Sequence, residues 1–161
     1  MTDRKVWIKN KKIINKDDFE KILKFRVNVD GAIARMGIEI TDLELGWARA
    51  RMEYRDTYVN PNGSVHGGLI FSLADSVAGT AACTRGNMVT TSTGSIYFLN
   101  AAFHPKVLVA EATELKAGRS LMTYDVKVKT DTGILIAKAV MEYFNLKMPI
   151  PGLEPEVPEE D

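Results

Sequence analysis

Apolar residues recur at two spacings along this chain, and those spacings predict both helices and strands. Residues Lys16–Val29 carry apolar side chains at near-helical intervals, which predicts an amphipathic helix with Asn15 as its candidate N-cap. Between Gly37 and Tyr54 apolar and polar residues alternate, which predicts two strands that turn near residues 44–46. Residues Tyr58–Val65 are rich in Asn, Pro and Gly and predict an ordered loop.

The longest apolar run, Gly67–Arg85, has the spacing of a helix and is apolar on nearly every side, so this helix must be buried. Turn signals then separate four predicted strands in a meander: Val89–Asn100, Val107–Leu115, Ser120–Lys129 and Leu135–Asn145. A lone helix this apolar needs cover on most of its surface. An α+β fold, with an antiparallel sheet wrapped around one long central helix, satisfies that requirement.

The length and the composition of the two ends predict the domain organisation. A chain of 161 residues has the usual size of one domain, which we place at residues 35–147. Residues 1–34 form an N-terminal extension that contains the amphipathic helix. Residues 148–161 carry four prolines and five acidic side chains with little apolar content, which predicts a solvated, disordered tail.

Charge and cysteine content limit the classes of partner and the cellular compartment that we expect. Lysine plus arginine and aspartate plus glutamate number 21 each, so no net field recruits nucleic acid or an anionic membrane. Residues 1–12 have no long apolar stretch, which argues against a secretory signal or a membrane anchor. Cys83 is the only cysteine, and its apolar surroundings predict an inert thiol in a reducing compartment. We therefore expect a cytoplasmic protein.

The start and the middle of the long apolar helix hold the candidate chemistry. Gly67 and Gly68 stand at its first turn, where backbone N–H groups lack intrahelical partners and the helix dipole favours an anion or an oxyanion. Asp75 lies inside the apolar stretch, where a carboxylate is costly unless it is paired or takes part in chemistry. Such a residue is a candidate for function.

The spacing of these residues predicts an oligomer. Gly67 and Asp75 are eight positions apart, which is about 12 Å along a helix and too far for both to touch one reacting carbonyl. The simplest geometry brings Asp75 from a second subunit whose helix runs antiparallel beside the first. The chemistry therefore predicts a dimer, and its twofold axis would create two equivalent sites at the interface.

The stretch from Asn60 to Asp75, N-x-x-G-x-x-H-G-G-x-x-x-x-L-x-D, resembles the signature of hotdog-fold thioesterases of the phenylacetate-degradation (PaaI-like) type, which includes thioesterase superfamily member 2. The resemblance covers roughly residues 37–145, with Ser95-Ile-Tyr-Phe-Leu-Asn-Ala and the turn Lys116-Ala-Gly-Arg-Ser120 as further matches. It implies a hotdog fold, hydrolysis of an acyl-CoA thioester, and no metal or organic cofactor.

The resemblance also implies roles for single residues. Asp75 activates water or attacks the thioester carbonyl across the subunit interface. Gly67 polarises that carbonyl through its backbone N–H, in agreement with the helix-dipole argument. Asn60 orients the attacking water or the leaving group, and His66 shapes the site by hydrogen bonding near the thioester.

Further contacts implied by the resemblance concern the water and the coenzyme. A hydroxyl residue on the strand after the helix positions the water, and Thr91 and Thr93 are the candidates. Related proteins often carry Arg-Pro or Ser-Pro where this chain has Asn100-Ala101, so other cations must contact the coenzyme A phosphates. The substrate-binding candidates are Gly68, Thr93, Lys106, Lys116 and Arg119.

Structural interpretations and other functions remain open at this point. His66 and Asn60 could serve only the loop, Asp75 could be satisfied by backbone donors, and threonines favour strands for packing reasons. A hotdog dehydratase or hydratase would need an aspartate and histidine pair in a different motif, which does not occur here. The alternative of another class is a module that binds acyl-CoA or an apolar ligand without turnover. The acyl group and the choice between dimer and tetramer are not determined by the pattern.

Overall fold

The computed structural model describes residues 16–27 and 31–153. The order of elements within them matches the predicted order, apart from a short helix before the first strand and a short 3-10 helix in the predicted loop. The helices are α1 (Lys16–Arg26), α2 (Ala32–Arg35) and α3 (Gly67–Cys83), with a short 3-10 helix at Asp56–Tyr58. The strands are β1 (Ile38–Glu44), β2 (Trp47–Glu53), β3 (Asn87–Phe98), β4 (Val107–Ala117), β5 (Leu121–Thr130) and β6 (Leu135–Pro149). Asn15, the predicted cap of α1, lies outside the described residues. In the part of the chain that is described, no helix is long and apolar enough to cross a membrane.

The six strands form one antiparallel sheet in the order β1-β2-β4-β5-β6-β3. The predicted meander of the last four strands is wrong for β3, which pairs with β6 at the edge of the sheet. After β3 the chain crosses over the start of α3, where the carbonyl of Ala102 accepts a hydrogen bond from the Val65 N–H, and β4 then pairs with β2. The connection of residues 99–106 is long enough for this crossing, whereas a two-residue hairpin would have forced β3 beside β4.

Helix α3 packs against the sheet and touches all six strands. Its buried positions alternate large and small side chains, with Leu73 and Val77 among the large ones and Ala74, Ala78 and Ala81 among the small ones. The small residues let the sheet approach the helix closely, and the inward side chains of β5 and β6 fill the remaining space. The predicted α+β class, with a sheet wrapped around one central helix, is confirmed.

A partly buried ion pair holds the C-terminal end of α3 against the sheet. Arg85 Nε donates to Glu114 Oε2 at 2.8 Å, and the same carboxylate accepts a 3.1 Å hydrogen bond from the Tyr124 hydroxyl. Nearby, the Gly46 N–H donates to Thr84 Oγ1 at 2.8 Å. These bonds connect the β1–β2 turn, β4 and β5 to one helix end.

The predicted solvated tail is wrong for residues 148–153. Strand β6 continues to Pro149, Ile150 is fully buried, and Leu153 is nearly so. Both pack with Ile22 of α1 and with Cys83, and the Ile150 N–H donates to the Gly86 carbonyl at 3.0 Å. The cause is that two apolar side chains between the prolines complete a second small core, in which burial raises the pKa of the Cys83 thiol. Residues 154–161 lie outside the described part of the chain.

Ile150→Ala is expected to lower the free energy of unfolding by about 2–4 kcal/mol, because it leaves a cavity in that second core. The measurement is urea denaturation at fixed protein concentration. The matched control is Ile134→Ala, since the Ile134 side chain is 53% exposed in the turn before β6. Equal losses for the two variants would show that residues 148–153 do not pack against the domain.

Candidate active site

The loop before α3 is organised by the side chain of Asn60. Its Oδ1 accepts hydrogen bonds from the N–H groups of Asn62 at 2.9 Å and Ser64 at 3.2 Å, and its Nδ2 donates to Ser64 Oγ at 3.0 Å. A β-bridge between Val59 and Val65 closes the same loop. Asn60 therefore has the structural turn role that the sequence left open, and it also lines the cavity at the start of the helix.

His66 is the N-cap of α3. Its backbone is extended, with φ −62° and ψ 131°, and its Nδ1 accepts a 2.9 Å hydrogen bond from the Gly68 N–H. A neutral imidazole that accepts at Nδ1 carries its proton on Nε2, so the ring presents a donor on its exposed side. Because the Gly68 N–H is used by this cap, it is not available to a substrate oxygen in this conformation.

Gly67 is the first residue of α3 and differs from Gly68 in its N–H group. Among the described residues no acceptor is bound to the Gly67 N–H, as expected at the first turn of a helix. Gly67 lines a cavity of about 350 Å³ together with Asn60, Phe98 and Asn100. An added Cβ would lie 3.1 Å from the Phe98 ring, so glycine keeps this entrance open. A free donor at the positive end of a helix beside a cavity can hold a carbonyl oxygen.

Asp75 lies half-buried at the middle of α3, and two hydroxyl groups bind the same one of its oxygens. Thr91 Oγ1 of β3 donates to Oδ1 at 2.8 Å, and the Tyr143 hydroxyl of β6 lies 2.9 Å from Oδ1 and 2.7 Å from the Asp75 carbonyl oxygen. Within the described residues no donor is bound to Oδ2. One carboxylate oxygen is therefore anchored, and the other is available for chemistry.

Tyr143 was not among the candidates from the sequence. Burial and, secondly, the adjacent Asp75 carboxylate raise the pKa of its hydroxyl, which therefore stays protonated and donates. Alternation along the predicted last strand indicates an inward side chain at this position. Nothing in that local pattern indicates which helix residue it would meet.

A β-bulge places Thr91 and Thr93 on opposite faces of the sheet. Thr91 stands opposite the inward Tyr143, whereas Thr93 stands opposite Glu142, with Ser92 as the extra residue between them. Two residues apart on a regular strand would share a face, but the bulge reverses the alternation. The structure therefore brings Thr91 to Asp75 and turns Thr93 to the other face of the sheet.

The three cations proposed to contact the coenzyme do not lie together in one chain. Lys106 precedes β4, four residues after Ala102, which binds Val65 just before α3. Lys116 lies near the end of the same strand and Arg119 follows in the turn. Ten residues of strand separate Lys106 from Lys116, which is about 34 Å. All three are exposed.

The candidate residues form two groups on one helix. Gly67, His66 and Asn60 surround its first turn, whereas Asp75 stands eight positions later, about 12 Å along the axis. Asp75 does not line the cavity beside Gly67. No group of three His, Cys, Asp or Glu side chains suited to a metal ion occurs in the part of the chain that is described. A single antiparallel sheet wrapped around one buried helix defines the hotdog class of α+β proteins.

Comparison with known proteins gives the family. The model of the thioesterase superfamily matches residues 62–137. A protein of Archaeoglobus fulgidus named "Putative esterase" is 31% identical over 120 residues, which are 74% of this chain and 78% of that protein. Acyl-coenzyme A thioesterase PaaI of Escherichia coli K12 is 30% identical over 99 residues, which are 62% of this chain and 71% of that protein.

Solved structures agree with this result. The structure of the E. coli PaaI protein superposes with a TM-score of 0.72 at 26% identity, over 74% of this chain and 87% of that chain. The structure of smu.793 from Streptococcus mutans, which is bound to acetyl CoA, has a TM-score of 0.66 at 25% identity, over 74% and 92% of the two chains. The chain belongs to the thioesterase superfamily, in its PaaI-like group of hotdog-fold proteins.

The capping role of His66 leads to a stability prediction. His66→Ala is expected to lower the free energy of unfolding by about 1 kcal/mol, because the Gly68 N–H loses its acceptor. His66→Asn should stay within a few tenths of a kcal/mol of the wild type, since asparagine is a favoured N-cap. Urea denaturation of both variants is the measurement. If both variants lose the same stability, the imidazole does not act as the cap.

Proposed function

We propose that this protein hydrolyses an acyl-coenzyme A thioester to a free acid and coenzyme A, with Asp75 as the base or nucleophile. The observation that carries the proposal is the Asp75 carboxylate, which is anchored through Oδ1 by Thr91 and Tyr143 and has Oδ2 unoccupied among the described residues. Membership of the thioesterase superfamily supports it. So do a related protein named as an acyl-CoA thioesterase and a structural neighbour bound to acetyl CoA.

In the proposed reaction, Asp75 acts on the thioester carbonyl carbon and the Gly67 N–H binds the carbonyl oxygen. As a base, Asp75 Oδ2 takes a proton from water, whose oxygen then bonds to the thioester carbonyl carbon. As a nucleophile, Oδ2 attacks that carbon directly and water opens the resulting anhydride. In both cases the C–S bond breaks and the coenzyme leaves as a thiolate that takes up a proton. The carbonyl oxygen becomes negative next to the Gly67 N–H, and no metal or organic cofactor is required.

The site is proposed to form between two subunits. Gly67 and Asp75 are too far apart on one helix to reach a single carbonyl, so a second α3 must run antiparallel to the first. Strand β3 supports this assembly, because it is twelve residues long and lies at the sheet edge, where no other strand of the described residues pairs with its outer side. Tyr97 at its end and Leu99 just beyond it are 66% and 51% exposed, which is typical of an association surface.

The same twofold arrangement gives the exposed cations a shared role. Antiparallel pairing brings the C-terminal end of α3 in one subunit beside the N-terminal end of α3 in the other. Lys106 of one subunit and Lys116 with Arg119 of the other would then flank one site, where they can bind the phosphates of coenzyme A. The single buried thiol of Cys83 fits the cytoplasm as the proposed location.

Asp75→Asn is expected to lower kcat on the order of a hundredfold or more, because an amide cannot act as base or nucleophile. The measurement is release of free thiol from a panel of short, long and aromatic acyl-CoA esters. The matched control is Asp125→Asn, since Asp125 pairs with Lys138 at 3.3 Å, away from the proposed site. If the wild type binds acyl-CoA tightly but does not turn it over, the protein is a binding module and the proposal of hydrolysis is wrong.

A mixing experiment tests the shared site. Gly67→Pro removes the proposed donor while suiting the first helical position, and the ψ of 131° at His66 accepts a following proline. It should lose about 10²–10³-fold in kcat. Gly67→Ala keeps the N–H while adding a similar Cβ near Phe98, so it should retain at least tenfold more activity than Gly67→Pro.

Co-refolding of Asp75→Asn with Gly67→Pro should restore about a quarter of the wild-type activity. Half of the random dimers are mixed, and each mixed dimer holds one intact site when the site is shared. Activity that stays at the level of the separate variants would show that each site is built within one chain.

A further inference from the structure

A gap in the surface of α3 lies one turn after Asp75, at Gly79. An added Cβ at this position would lie 2.7 Å from Arg26 Nη2 and 3.3 Å from Tyr143 Cε1. Glycine therefore lets two side chains from distant elements, one from α1 and one from β6, rest directly against the helix backbone. Both reach the helix beside the residue proposed to carry out the chemistry.

Arg26 binds the helix on the side of this gap. Its Nε donates to Thr80 Oγ1 at 3.3 Å, and its Nη2 makes a long contact of 3.5 Å with the carbonyl oxygen of Ser76, the residue after Asp75. The positive charge partly opposes the upward shift that burial and Asp75 impose on the pKa of Tyr143. Arg26 and Tyr143 both lie against Gly79, so the guanidinium charge is close to the tyrosine that touches Asp75.

The Tyr143 hydroxyl has a position that restricts the carboxylate. It spans the Asp75 main chain and side chain, at 2.7 Å from the carbonyl oxygen and 2.9 Å from Oδ1. The terminal torsion of an aspartate is broad, so the plane of a carboxylate without such bonds turns easily about the Cβ–Cγ bond. With Tyr143 and Thr91 both on Oδ1, only one orientation keeps both hydrogen bonds.

We propose that Tyr143 is a positioning residue that fixes Asp75 with Oδ2 towards the substrate, and that Arg26 of the N-terminal helix acts through Tyr143. The inference rests on the proposed function, because it concerns the same carboxylate. It assigns a part in catalysis to α1, which lies outside the residues that match the family model. Tyr143 touches neither substrate nor reacting atoms and orients the group that does.

Tyr143→Phe is the direct test, since the ring can keep its edge-on contact with Tyr124 at 6.1 Å between centroids. We expect kcat for the best acyl-CoA ester to fall about tenfold to a hundredfold with KM unchanged, because a hydrogen bond to a charged group is lost. The matched control is Tyr124→Phe, which removes another buried hydroxyl, the donor to Glu114. Tyr124→Phe should lower the melting temperature to a similar degree and leave kcat at the wild-type value.

A crystal structure of Tyr143→Phe supplies a readout besides activity. The Asp75 carboxylate should occupy more than one orientation, whereas Tyr124→Phe should keep the single wild-type orientation. Arg26→Met is the second variant and remains informative if Tyr143→Phe does not fold. It should lower kcat about threefold to tenfold at constant KM in the wild type, and by less than about twofold in the Tyr143→Phe background, because coupled residues are not additive.

The outcomes separate this inference from the proposed function. If the wild type hydrolyses no ester, the proposed function fails. If the wild type is active and Asp75→Asn is inactive, but Tyr143→Phe keeps both the wild-type kcat and a single Asp75 orientation, the positioning role of Tyr143 is overturned. If Arg26→Met lowers kcat by the same factor in the wild type and in Tyr143→Phe, the part assigned to Arg26 is overturned.

Discussion

Burial of one apolar helix is the constraint on which this structure depends. Helix α3 is too apolar to be exposed, and one curved sheet covers it because small side chains such as Ala74 and Ala78 let the strands come close. Asp75 is only half-buried and is bonded from the edge strand by Thr91. The same packing that hides the helix therefore presents one carboxylate at the margin of the core, where it is partly desolvated and firmly held.

The rise of a helix determines how the chemistry can be assembled. An oxyanion site at the first turn benefits from free N–H groups and from the dipole, and these exist only at that end. A carboxylate eight residues later cannot approach the same carbonyl within its own chain. Antiparallel pairing of two such helices would bring Gly67 of one subunit close to Asp75 of the other. The long edge strand β3, with its exposed aromatic end, offers a surface for this association. Catalysis and assembly are then one geometric requirement in the proposed function.

The elements outside the matched family region support the C-terminal half of α3. Helix α1 and residues 148–153 pack together around Ile22, Ile150 and Cys83 and form a second small core. From this core Arg26 reaches Thr80 and lies against Gly79, next to the tyrosine that binds Asp75. Helix α1 is thus connected to the candidate site through contacts on the C-terminal half of α3.

The sequence by itself determined what depends on local pattern: the start of α3, the presence of six strands, the sheet-around-helix class, and the eight-residue spacing of Gly67 and Asp75. Tertiary structure alone decided which distant residues meet. Through a bulge it brought Thr91 rather than Thr93 to Asp75; it also brought Tyr143 to Asp75, placed β3 beside β6, and buried Ile150. The physical reason is that periodicity along a chain reports which face a side chain takes, whereas pairing register and bulges arise from contacts between segments far apart in sequence.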